Sequence, residues 1–215
     1  MKCFQKWGGI SALYGAAAYL TGMTFFLLLM DYTEVIDPVQ KVASLINNQT
    51  GMYVITLITY VIFAFFLVLL SLSLYDRLKH GSPSIMQAAT AFGLIWAALL
   101  IGSGMIYNIG MEKVIDLYGT DPDQAAVVWL AIEAVHEGIG GGNEIIGGIW
   151  VLLISWAALK TGKLPRGLNY IGVVVGAAGI ISTIPLLGEP GGIIFGLGQI
   201  VWFIWLGIFM LSVKD

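Results

Sequence analysis

Glu133, His136 and Glu137 are the residues whose types and spacing best suit chemistry. Positions three and four apart share a helix face, so Glu133-x-x-His136 presents a carboxylate and an imidazole together, as carboxylate-bridged di-iron bundles do. That chemistry needs a second such pair, and the only other histidine, His80, belongs to a loop on the opposite side in the topology derived below. Zinc would need three or four ligands, so Glu133, His136 and Glu137 would have to recruit Glu144 or a loop acid such as Asp116. The plain alternative is an interfacial helix with a solvated acidic face. No Ser-His-Asp pattern, phosphate-binding glycine loop or redox cysteine pair occurs, and Cys3 is the single cysteine. The reading leans away from an enzyme, and the sequence specifies no cofactor.

Glu144 is the second chemical candidate. It is the only charged residue between Glu137 and Lys160. An ionisable side chain inside a span costs about 2.5 to 3.5 kcal/mol on insertion scales, so it is expected to face the bundle or a wet cavity. Residues expected at similar depth are Asn143 beside it, Asn108 at the end of the third span, Thr183 in the fifth and Gln199 in the sixth. Together they suggest an outward-facing polar pocket for a small ligand or cation. Hydroxyl groups such as that of Thr183 have a simpler option, bonding back to their own helix. The run Gly140-Gly141-Gly142 weakens a helix by about 1 kcal/mol per residue relative to Ala and marks a hinge directly before Asn143 and Glu144.

The elements that position these residues follow from composition. The 215 residues are 58% hydrophobic and 11% charged, with a mean hydropathy of +0.89. Soluble domains carry about a quarter charged residues, so this is a membrane protein whose immediate partner is the lipid bilayer. A net charge of −3 with no extended basic cluster excludes nucleic-acid binding. Charge-poor stretches predict an all-α polytopic bundle with six transmembrane helices over about 7–30, 51–75, 84–108, 139–159, 168–187 and 192–213. Six spans put Lys2, Lys6, Arg77, Lys79, Lys160, Lys163, Arg166 and Lys214 on one face and leave only Lys41 and Lys113 on the other. The positive-inside rule then assigns both termini to the cytoplasm of a multi-pass cell-membrane protein.

Each long outer loop opens a short amphipathic helix in the same way. Asp37-Pro38-Val39-Gln40 and Asp121-Pro122-Asp123-Gln124 put Asp at the N-cap, Pro at the first helical position and Gln at the third. They lie 84 residues apart, and the same shift aligns Leu69 with Leu153, Ser71 with Ser155 and Lys79 with Lys163. The chain reads as one transmembrane domain with a parallel repeat of 1–83 and 84–167, followed by a third hairpin, 168–215. Gly172-x-x-x-Gly176 and Gly192-x-x-x-Gly196 are small-residue faces suited to close helix packing.

Gly142-Asn143-Glu144, Trp150, Leu152-Leu153, the loop Lys160-Thr161-Gly162-Lys163-Leu164-Pro165-Arg166 and Tyr170-Ile171-Gly172 resemble a family of prokaryotic six-span membrane proteins catalogued only as a domain of unknown function. The resemblance is sharpest over about residues 140–187 and implies location and topology, with no activity to transfer. Three functions remain open: a transporter- or sensor-like binder at Glu144, an accessory or assembly subunit, and a metal-dependent membrane enzyme. A homo-oligomer or a membrane-complex partner is compatible with each.

Overall fold

The computed structural model describes the backbone of residues 2–29, 37–141 and 144–213 and the side chains of 4–27, 37–140 and 144–213. Asn143, Gly142 and Lys214 lie outside the described residues. Every regular element described is helical: α1 (Lys2–Thr24), α2 (Pro38–Asn47), α3 (Gln49–Thr56), α4 (Phe63–Leu78), α5 (Pro83–Tyr118), α6 (Pro122–His136), α7 (Ile145–Thr161), α8 (Arg166–Ile181) and α9 (Gly188–Ser212). Wider π-helical turns occupy Phe25–Leu29 and Leu57–Ile62, and a third, over Glu137–Gly141, is broken by a kink at Gly140.

Five stretches among the described residues are long and apolar enough to cross a membrane: Phe4–Leu27, Gln49–Leu78, Pro83–Tyr118, Pro122–Thr161 and Gly188–Ser212. The fifth predicted span is present as the shorter apolar helix Arg166–Ile181. Its 16 residues reach about 24 Å, less than the ~30 Å of a hydrocarbon core. The expected end at residue 187 is corrected to Ile181, because Pro185 has no N–H to continue the ladder and disfavours helical geometry in the residue before it. The last helix starts correspondingly earlier, at Gly188 rather than residue 192, and α5 runs on past residue 108 to Tyr118.

The chain forms two compact units. The first comprises Met1–Tyr19, Phe63–Ala98 and Asn143–Asp215. An aromatic cluster lies at its core, with ring centroids 5.8 Å apart for Phe63–Trp96 and Trp96–Trp150, 5.7 Å for Trp150–Trp202 and 5.6 Å for Trp202–Phe203. Small residues let its helices close on one another. A Cβ on Gly9 would lie 3.1 Å from the Gly207 carbonyl oxygen, and one on Gly207 would lie 2.9 Å from that of Gly9. Ser71 and the Trp150 indole both abut Gly93, while Ser155 and the Trp202 indole both abut Gly172. Helix α7 stops at Gly162, whose left-handed φ of 64° turns its N–H to the Ala158 carbonyl oxygen at 2.9 Å.

The second unit comprises Leu20–Ile62 and Leu99–Gly142. Here α2 packs on α6 around Val42, Leu45, Met52, Tyr107, Met111 and Trp129, all buried. Both helices begin as their sequences predict. Asp37 accepts from the backbone N–H groups of Val39 (2.8 Å) and Gln40 (3.1 Å), and Asp121 accepts from that of Gln124 (3.0 Å). Helix α2 is amphipathic, with Val42 and Leu45 buried and Gln40 and Asn47 exposed. Helix α6 differs, since its exposed positions include Val127, Leu130 and Val135 as well as polar groups. Such a surface suits acyl chains better than water.

Candidate functional site

In the second unit the polar centre forms around His136, which is buried, with 8% exposure. The imidazole Nδ1 is 2.7 Å from Ser103 Oγ and 3.2 Å from the Ser103 carbonyl oxygen, while Ser103 Oγ lies 2.9 Å from the His136 carbonyl oxygen. One set of donors satisfies all three distances. The hydroxyl gives its single proton to the His136 carbonyl, so Nδ1 carries the ring proton and donates to Ser103. Nε2 is then the acceptor for the Tyr60 hydroxyl at 3.3 Å. Neutral imidazole in this tautomer has both nitrogens engaged.

The surrounding elements account for the approach of each group. Tyr60 lies in the π-helical turn Leu57–Ile62, and a second such turn starts immediately after His136. π-Turns of this kind recur at functional sites in helical proteins. A Cβ on Gly104 would meet Tyr60 Cβ at 2.7 Å, so the glycine lets the tyrosine come close. Tyr107, one turn after Ser103 on α5, sets its ring centroid 4.6 Å from that of the imidazole in a tilted contact and 4.9 Å from that of Trp129 edge-on. Glu133 Oε2 is 3.7 Å from Lys41 Nζ.

This geometry redirects the expected metal ligands. Among the described residues no three His, Cys, Asp or Glu side chains gather as a metal site. His136 spends its nitrogens on Ser103 and Tyr60, Glu133 pairs with Lys41, and Glu137 is exposed. His136 itself is buried, while Glu137 beside it faces outward. Ser103 and Tyr60 carried no signal in spacing that would tie them to His136; the connection is made across helices.

In the first unit Glu144 stands immediately ahead of α7, half-buried, with no side-chain partner among the described residues. Its carbonyl oxygen accepts from the N–H of Gly148 at 2.8 Å. Gly179 of α8 packs against that carbonyl, where a Cβ would come within 2.9 Å, and the Phe195 ring of α9 lies 2.6 Å from the same Cβ position. Gln199 follows Phe195 by one turn, fully buried, and both atoms of its amide lack a partner. Glu144 and Gln199 thus belong to helix segments that meet at Gly179. Thr183 is exposed and bonds back to the Ile180 carbonyl oxygen at 2.8 Å, the simpler of its two expected roles. Asn108 is buried with both amide atoms unpartnered, but it belongs to the second unit.

Residues 9–212 match the family model described as Domain of unknown function (DUF4386). The chain belongs to this family. The DUF4386 match takes in His136, Glu144 and Gln199 and agrees with the apolar helices in making the chain an integral membrane protein. No curated protein and no solved structure matches the chain.

Proposed function

We propose that this DUF4386 protein is a transporter- or sensor-like membrane protein that binds a small ligand or cation at Glu144, from the outer side of a cell membrane with both termini cytoplasmic. The observation that carries the reading is an unpartnered, half-buried carboxylate set in an otherwise charge-free stretch from residue 138 to 159. A carboxylate at that position costs about 2.5 to 3.5 kcal/mol if it only fills space, and a bound cation offsets that cost. Gln199 adds a buried carboxamide whose oxygen and N–H groups are both available, on the helix that packs against the same glycine.

The test is calorimetric titration of the purified protein in lipid nanodiscs with sodium, calcium and tetramethylammonium chlorides. Saturable binding of one of these cations is expected, weakened at least about tenfold by Glu144→Gln, the equivalent of one charge-assisted contact. Failure of all three to bind, or unchanged affinity in Glu144→Gln, overturns the proposal.

A further inference from the structure

Helices α8 and α9 run antiparallel in close register. A Cβ on Gly198 would meet Val175 Cγ2 at 2.5 Å, and one on Gly167 would meet the Trp205 ring at 2.9 Å. Beside this seam lies a groove of about 330 Å³ lined by Tyr170, Ile171, Val174 and Val175 of α8 and Ile194 and Gly198 of α9. Tyr170, Val174 and Ile194 are at least half exposed, so the groove opens to whatever surrounds the bundle. In a bilayer that medium is acyl chain.

One end of the groove is basic. Arg166, Tyr170 and Val174 are four residues apart and share a face of α8. Helical side chains lean toward the helix N-terminus, which carries the Tyr170 ring toward Arg166. Arg166 is exposed and has no partner among the described residues, and exposed Lys163 precedes it in the loop. No acidic residue occurs from 145 to 188, so these cations are uncompensated along the chain. Trp205, over Gly167, sits level with Arg166 as an aromatic residue at a membrane interface would. Because α8 reaches only about 24 Å, its basic first turn and the apolar groove fall within one lipid's length.

We propose that this groove is a binding site for an anionic phospholipid, one acyl chain lying along Tyr170, Val174 and Ile194 while Arg166, with the Tyr170 hydroxyl, holds the phosphate. Arginine suits this role because its planar fork matches phosphate oxygens, and an exposed long side chain can reach the headgroup plane with its stem in the apolar layer. An apolar groove alone would accept any lipid tail; the uncompensated basic end selects the anionic headgroup.

The experiment is native mass spectrometry of the purified protein in mild detergent, titrated with phosphatidylglycerol, phosphatidylcholine or inorganic phosphate. A discrete phosphatidylglycerol adduct is expected, with phosphatidylcholine bound about fivefold more weakly, the worth of one basic residue at a membrane surface. Arg166→Gln should bring phosphatidylglycerol down to the phosphatidylcholine level, and Val174→Trp, at an exposed position that leaves the core intact, should weaken both lipids. Equal binding of the two lipids, adducts unaffected by both substitutions, or inorganic phosphate that binds and competes as well as the lipid would each overturn the assignment.

Discussion

Gly148 and Gly176 meet backbone to backbone: a Cβ on either would lie 2.7 Å from the carbonyl oxygen of the other. This reciprocal contact fixes the crossing of α7 and α8, and no side chain can yield to relieve it. Gly148→Ala or Gly176→Ala should therefore destabilise the protein by about 1 to 3 kcal/mol, the usual range for overpacking a tight contact. Gly192→Ala and Gly196→Ala, where an added Cβ meets nothing within 4 Å, should stay within about 0.5 kcal/mol of wild type. Thermal melting in detergent separates the two pairs, and equal effects would show that the crossing is not the tight point.

Gly140 tests a backbone cost rather than a packing cost. Its φ of 141° lies where residues with a side chain rarely go, and the nearest atom to an added Cβ is Leu99 Cβ at 3.6 Å. Gly140→Ala should destabilise by about 1 to 3 kcal/mol through strain alone. Gly138→Ala, with nothing within 4 Å of an added Cβ and no positive φ, is the matched control in the same melting assay. A Gly140→Ala protein as stable as the Gly138→Ala protein would mean that the turn relaxes freely.

The donor assignment at His136 predicts unequal losses. Ser103→Ala removes the acceptor at 2.7 Å from Nδ1 and the donor to the His136 carbonyl, and should cost about 1 to 3 kcal/mol. Tyr60→Phe removes only the longer 3.3 Å contact to Nε2 and should cost about 0.5 to 1.5 kcal/mol. Nitrogen NMR of histidine-labelled protein should show the Nδ1–H tautomer in wild type, and Ser103→Ala, which keeps the backbone carbonyl oxygen 3.2 Å from Nδ1, should retain it. A dominant Nε2–H tautomer in wild type would reverse the assignment.

Much of the fold was legible because its determinants are local or carry large penalties. Charge is expensive in hydrocarbon, so the charge-poor runs mark the helices from Phe4 to Ser212 with few errors of type. The Asp-Pro caps at Asp37 and Asp121 depend only on residues two or three positions away, and both form. Pro185 was itself a readable stop signal, yet the uncharged run across it concealed the early end of α8 at Ile181.

The candidate sites were less legible because they depend on which helix faces which. Glu144 announced itself through the cost of its charge, and Gln199 through an amide inside an apolar run. Neither residue's spacing showed that their helix segments meet at Gly179. Glu133 and His136 had the spacing of a metal pair, but Lys41 is drawn to Glu133 from α2 and Ser103 to His136 from α5.

The sequence by itself determined an all-helical membrane protein, the approximate limits of its spans and the residues whose burial would need explaining. Those properties follow from transfer free energies and short-range capping, which act on each segment wherever its neighbours lie. Only the tertiary structure decided that Gly176 of Gly172-x-x-x-Gly176 carries a helix crossing, against Gly148 of α7, while Gly192 and Gly196 with the same spacing remain open. It also decided that Ser103 and Tyr60 reach His136 from other helices. Both outcomes depend on distances between segments far apart in the chain, which residue spacing along one helix does not encode.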